Sequence, residues 1–326
     1  MKDSYGFIDL SKTLGMASPL LMLDSLVVDS EGRRAEGLKC VSAGEEVFRG
    51  HFPERPILPG VLQVASMLQA SKMLFFALHG RDGEVGLARL RRVKFRRPVL
   101  PGAVLRVVVE EQDATGDGAE FKASCLLENG DVASDGRLVL CRREPGWFSM
   151  RRRGEAVHGL APDAVISSNH ISPEGASSSI ETASEPNSIP FSGVEEIMRV
   201  IPHRNPFLLL DGARVEDDGR ISGFKNATGN EPMVRATASG VYPAFLQMES
   251  CAQLGCWAAL ARPENSGKLG IFLSIDEATV LRPVWAGERF SMGINLDYAG
   301  KYGTALCHGT VSGEPVLEVS LKFAII

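Results

Sequence analysis

Apolar residues crowd two stretches of this chain so densely that neither stretch keeps a polar face. Across residues 59 to about 78, Val61, Leu62, Val64, Met67, Leu68, Met73, Leu74, Phe75 and Phe76 cover nearly every side of a helix, and a helix that is apolar all round is buried. His79-Gly80 marks its end, because glycine is favoured just past a helix terminus. Residues 243 to about 261 repeat the pattern with Phe245, Leu246, Met248, Cys251, Ala252, Leu254, Trp257, Ala258 and Leu260. After each helix the runs become short and β-branched, at 104–109, 118–126 and 137–141 and again at 289–296, 304–311 and 315–325, which predicts strands. A short helical or irregular segment and one strand precede each helix. One buried helix followed by antiparallel strands is an α+β pattern, and the chain predicts it twice.

The two halves also match residue for residue. Setting Pro59 on Pro243, an offset of 184, lays Pro59-Gly60-Val61-Leu62-Gln63-Val64-Ala65 on Pro243-Ala244-Phe245-Leu246-Gln247-Met248-Glu249. His51 then falls on Arg235, Ala65 on Glu249 and Gln69 on Gln253. Ser18-Pro19-Leu20-Leu21-Met22-Leu23-Asp24 matches Asn205-Pro206-Phe207-Leu208-Leu209-Leu210-Asp211 at an offset of 187, and Arg97-Pro98-Val99 matches Arg282-Pro283-Val284 at 185. Three blocks in one order at nearly constant offset mark a tandem duplication. Between the halves, a stretch rich in Ser, Pro, Glu, Asn and Ala cannot bury much apolar surface and reads as a flexible linker. The expected organisation is repeat 1 over 1–150, linker over 151–190 and repeat 2 over 191–326.

Composition narrows the function classes. A length of 326 residues suits two ordinary domains. No apolar run is expected to approach the roughly 20 residues that span a bilayer, and residues 1–6 lack the apolar core of a signal peptide, so a cytoplasmic protein without membrane insertion is expected. The six cysteines follow neither metal-ligand nor disulfide spacing; they read as small buried hydrophobes, and neither a metal nor a cofactor is expected. A net charge of −5 argues against bulk attraction to nucleic acid. Locally, Arg89, Arg91, Arg92, Lys94, Arg96 and Arg97 form a basic run, either a solvated strand face or the landing surface of an acidic partner.

Four motifs carry a family resemblance. Gly-His-Phe-Pro-x-x-Pro-x-x-Pro-Gly-Val at 50–61, Pro-His-Arg-Asn-Pro-Phe-Leu-Leu-Leu-Asp at 202–211, Phe-Arg-Arg-Pro-Val at 95–99 and Glu-x-x-x-Gln at 249–253 resemble the bacterial 3-hydroxyacyl-acyl-carrier-protein dehydratases, over both halves. The resemblance implies the hotdog fold, a long central helix wrapped by a curved antiparallel sheet. Members of that family pair a histidine from one subunit with a carboxylate from the other, so a duplicated chain would be a covalent pseudo-dimer, alone or in a higher oligomer. His51 matches the family histidine and Glu249 the family carboxylate, while Arg235 and Ala65 stand where the second pair would be. One site is expected to keep its pair and the other to have lost both members. Gly15-Met16-Ala17 likewise replaces the Pro202-His203-Arg204 of the second half. The implied activity is dehydration of 3-hydroxyacyl thioesters to trans-2-enoyl thioesters in fatty-acid or polyketide-type lipid synthesis, with acyl carrier protein as partner. A hotdog thioesterase and a non-catalytic acyl-binding scaffold are the alternatives.

That chemistry explains the residue types. Taking the proton next to a thioester carbonyl needs a base near neutral pH, which histidine supplies, while a carboxylic acid or a water it holds serves the departing hydroxyl. Free N–H groups at the start of the first long helix, near Gly60 and Val61, suit the charge that develops on the thioester oxygen. Glu249 sits on an otherwise apolar helix, where an unpaired carboxylate is costly to bury; Gln253, one turn on, is expected to orient it. Gln69 is expected to satisfy polar groups only. Phe52, Phe207, Phe245 and Met248 are candidates to line the acyl chain's tunnel, with core packing as their default role, and Arg96, Arg97, Lys94 and Arg204 are expected to receive an acidic carrier. Asp24 and Asp211 are expected as turn acceptors, and His203 as a structural or tunnel-lining residue.

Overall fold

The computed structural model of the chain describes residues 2–143 and 191–326; the linker expected at 151–190 lies outside the described residues. The first half runs β1 (Lys2–Gly6), α1 (Phe7–Leu14), β2 (Ser25–Asp29), β3 (Arg34–Cys40), α2 (Gly60–His79), β4 (Glu84–Phe95), β5 (Val104–Thr115), β6 (Gly118–Leu126) and β7 (Val132–Arg143). The second runs α3 (Val194–Val200), β8 (Gly212–Val215), β9 (Ile221–Asn226), α4 (Pro232–Arg235), β10 (Val241–Tyr242), α5 (Ala244–Leu260), β11 (Gly270–Val280), β12 (Val284–Trp285), β13 (Arg289–Ala299), β14 (Tyr302–Val311) and β15 (Glu314–Ile325). Both long helices begin and end within a residue or two of the expected positions, and α2 stops at Gly80, whose φ of +81° favours glycine. Contrary to the expectation that no apolar run reaches such a length, α2 is long and apolar enough to cross a membrane, yet 78% of that window is buried inside the protein. It is a core helix.

Each half is a hotdog. Strands β1-β2-β3-β5-β6-β7-β4 curve around α2 and β11-β15-β14-β13-β9-β8 around α5, and α2 packs against α5. The two sheets become one of 13 strands through antiparallel pairing of β4 with β11, from Ser274 against Lys94 to Thr279 against Arg89. The inward positions of this seam, Leu90, Val93, Ile275 and Ala278, are completely buried. Its outward arginines, Arg89 and Arg91, lie 3.6 and 3.7 Å from Glu277, and Arg91 lies 3.8 Å from Glu120. Part of the basic run therefore belongs to the join between the halves. Lys94, at the end of the seam, and Arg96 and Arg97 beyond it remain exposed.

The repeated glutamines do the same structural job in both halves. Gln69 accepts the Met22 N–H at 2.9 Å and donates to the Leu20 carbonyl at 2.9 Å. Gln253 accepts the Leu209 N–H at 2.8 Å and donates to the Phe207 carbonyl at 2.9 Å. Each buried amide thus clamps the segment before its own central helix to that helix. Asp24 and Asp211 accept the N–H groups of Cys40 and Asn226, at 2.6 and 2.7 Å, at the ends of β3 and β9, the second strands after them, rather than within their own turns.

Candidate active site

The histidine is set by a tightly bonded loop. After a 3-10 turn over Glu46–Arg49 the His51 N–H bonds to the Val47 carbonyl at 2.9 Å, and the Ile57 N–H returns to the His51 carbonyl at 3.0 Å. The ring then donates from Nδ1 to the Ile57 carbonyl at 2.8 Å, which leaves Nε2 with the lone pair. Phe52 stacks on the ring, with centroids 4.1 Å apart, and Phe207 from the other half meets it edge-on at 5.4 Å. Gly50 permits this meeting of halves: its carbonyl accepts the Arg204 N–H at 3.0 Å, and a Cβ there would lie 2.2 Å from the Arg204 carbonyl oxygen.

Glu249 comes from the middle of α5 and is only 4% exposed. Gln253 donates to its Oε1 at 3.1 Å, and His203 Nε2 lies 3.6 Å from the same oxygen. One nitrogen of each histidine and a Glu249 oxygen all lie within 4.8 Å of one another. Burial of the ring, and after it the neighbouring His203, push His51 down to about 4, so its imidazole is neutral at neutral pH. Burial alone would raise the Glu249 carboxyl, but His203 above all, with His51 and Gln253, outweighs it and holds the group below its ordinary value. A neutral base and an ionised carboxylate from opposite halves face one space.

That space is a cavity of about 340 Å³. His51, His203 and Glu249 line one region of it and Ala252, Gly255, Cys256, Leu321, Phe323 and Ile326 line apolar walls. Gly60 also borders it; a Cβ there would lie 2.6 Å from the Phe95 ring, which packs over the start of α2. The first intrahelical donors are the Leu62 and Gln63 N–H groups, both bonded to the Pro59 carbonyl, so the Gly60 and Val61 N–H groups precede the helical bonding pattern.

The other expected residues divide. Phe52 lines the cavity, whereas Phe245 and Met248 on α5 and Phe207 in the loop before β8 are buried in the core and do not, Phe207 meeting only the edge of the His51 ring. Arg96 and Arg97 stand at the cavity, paired with Asp135 and Asp131, and Arg55, which the sequence reading did not single out, stands with them. Lys94 does not reach the cavity lining. Arg204 is spent on its own loop, donating to the Ile201 and His203 carbonyls at 2.8 and 2.7 Å. His203, expected as a structural or tunnel-lining residue, does line the cavity: it is 6% exposed, and one of its ring nitrogens lies within 4.8 Å of donor atoms of both His51 and Glu249.

Around the other set of repeat positions the chemistry is missing. Ala65 is fully buried, Met16 sulfur lies 3.8 Å from Gln69 Nε2, and Arg235 is exposed at the end of α4 beside a polar cleft with Lys39 and Glu45. At the 184 offset, Leu68, Ser71 and Lys72 replace the cavity-lining Ala252, Gly255 and Cys256. Each is larger than its counterpart.

Residues 28–137 match the family model of the ApeI-like dehydratases. The chain is 39% identical over 137 residues to the 3-hydroxyacyl-[acyl-carrier-protein] dehydratase FabZ of Herpetosiphon aurantiacus, a match covering 41% of this chain and 97% of that protein. It is 37% identical over 135 residues to FabZ of Bacillus subtilis, covering 40% and 96%. Among solved structures, the dehydratase domain of RzxB from Pseudomonas fluorescens superposes on 94% of this chain and 98% of its own, with a TM-score of 0.60 at 13% identity. The PpsC dehydratase domain from Mycobacterium tuberculosis, in complex with C12:1-CoA, does so over 94% and 99%, with a TM-score of 0.56 at 15% identity. The sequence relatives span well under half of this chain, and the solved domains nearly all of it.

Proposed function

The chain belongs to the 3-hydroxyacyl-acyl-carrier-protein dehydratase family, and from that premise we propose that it is a hydro-lyase working at one composite site, with His51 as base and Glu249 as its partner. The observation that carries this reading is the meeting of a neutral imidazole and an ionised carboxylate, from opposite halves, at one cavity with apolar walls. His51 Nε2 takes a proton from the carbon next to the thioester carbonyl. The electrons of that C–H bond form the double bond as the C–O bond to the 3-hydroxyl breaks. Glu249 accepts the hydrogen bond of that hydroxyl and relays to the leaving oxygen the proton that His51 has taken, so that water departs and both groups return to their starting forms. The N–H group of Gly60, which borders the cavity, receives the charge on the thioester oxygen, while Val61, also expected there, is buried behind it and does not line the cavity.

The acyl chain would lie along Ala252, Leu321 and Phe323, and the acyl carrier protein, which is acidic, would meet Arg55, Arg96 and Arg97 at the cavity. Synthesis of fatty acids or polyketides in the cytoplasm is the setting such a substrate fits. His51→Ala and Glu249→Gln are each expected to lower turnover by about 10²-fold or more, the usual magnitude for a positioned acid or base. Ultraviolet absorbance of the conjugated enoyl thioester, read beside release of free thiol, tests it. Thiol release without enoyl formation would make the enzyme a thioesterase, and dehydration by residues 1–150 or 191–326 alone would defeat the composite site.

A further inference from the structure

We propose that His51, His203 and Glu249 form a zinc-class cation site, and that a divalent cation bound there shuts the enzyme off by occupying the place of the thioester. Among the described residues this is the one group of three metal-ligating side chains whose donor atoms converge. Two imidazoles and a carboxylate are a common donor set for Zn²⁺ and its neighbours, and three protein ligands with an open fourth position are the arrangement of zinc sites that bind exchangeable molecules. Here the open position faces the cavity, which all three residues line.

The distances fit a cation better than they fit a hydrogen bond. His203 Nε2 and Glu249 Oε1 are 3.6 Å apart, beyond normal hydrogen-bonding range. Two ligands of a tetrahedral zinc, with bonds of about 2.1 Å, lie about 3.4 Å from each other. His203 is 6% exposed and its Nδ1 has no hydrogen-bond partner, so this buried ring faces the site with its polar atoms poorly used. The other two ligands already have the outer partners that orient metal ligands: His51 Nδ1 is bonded to the Ile57 carbonyl and Glu249 Oε1 to Gln253. All three donor atoms lie within 4.8 Å of one another, so a closure of at most about 1.4 Å brings them to the roughly 3.4 Å ligand spacing of a tetrahedral site. The duplicated positions offer Met16, Arg235 and Ala65 instead, so the chain should hold one ion.

The inhibitory part of the proposal rests on the dehydratase reading; the binding part does not. The full chain, stripped with EDTA and exchanged into metal-free buffer, is titrated with ZnCl₂ by calorimetry and with CoCl₂ by its visible absorption. One ion per chain is expected, with affinity falling at least tenfold in both His203→Ala and the near-isosteric Glu249→Gln, and unchanged in Cys40→Ser, which removes an exposed thiol. Zinc should inhibit dehydration competitively with the 3-hydroxyacyl thioester, and EDTA should restore it. No bound ion, an affinity that neither substitution moves, or activity that rises with zinc would overturn the proposal. Tight binding at these residues in a protein that forms no enoyl product would uphold the site and count against the dehydratase reading.

Discussion

Replacing Gly50 by alanine should misplace the catalytic pair without touching either member. A Cβ at Gly50 would stand 2.2 Å from the Arg204 carbonyl oxygen and 2.7 Å from the Phe207 nitrogen, where ordinary contact begins at 3.4 Å. Both neighbours are backbone, so no rotamer change relieves the clash, and the two loops must part by about 1 Å, the difference between those contacts. One loop carries His51. The other is held by Gln253, whose amide also holds Glu249, so the displacement falls on the separation of base and carboxylate. A misplacement of about 1 Å can cost on the order of 10²-fold in rate, while overpacking of this kind costs about 1–3 kcal/mol of stability. The enoyl absorbance assay should therefore show kcat/KM reduced by about 10²-fold in protein that denaturant titration shows to be folded. If activity were lost only in proportion to the unfolded fraction, or not lost at all, the loops would not be setting the geometry and the reasoning would fail.

Gln69→Ala and Gln253→Ala should each lose about 1–3 kcal/mol in urea unfolding, because each strands a buried N–H and a buried carbonyl; only Gln253→Ala should also slow turnover, since only its amide holds a site carboxylate. Arg96→Glu with Arg97→Glu should raise KM for carrier-bound substrate and flatten its salt dependence, the encounter being screened over about 10 Å at 0.1 M salt. Small acyl thioesters should be turned over by that variant as by the parent. Arg235→Ala should leave kcat/KM within about twofold, as expected of an exposed surface side chain; a loss matching that of His51→Ala would give the other repeat positions a role.

The parts of this molecule that were legible in its sequence are those where a pattern has one physical solution. Helices α2 and α5 are apolar all round, and only a buried central position accepts that. The arginine-rich strand was ambiguous because alternation of Arg89, Leu90 and Arg91 reads the same whether its outer face meets water or, as here, Glu277 on the strand of the other half. Phe207 and Phe245 were open between tunnel wall and core, where they lie, because a large apolar residue beside a motif carries no sign of which way its helix or loop turns it. His203 is different, since its signal was present. The residues that differ between the repeats fall into two groups: Met16 and Ala65 in the first half with Arg235 in the second, against His203 and Glu249 in the second with His51 in the first. In the proposed arrangement each site takes its base from one half and its carboxylate from the other, so a residue lost together with one half's carboxylate belongs to that carboxylate's site. Met16 stands in the half that lost its glutamate and His203 in the half that kept it, and that alone assigns His203 to the surviving site, 46 residues before Glu249 in sequence and 3.6 Å from it in space.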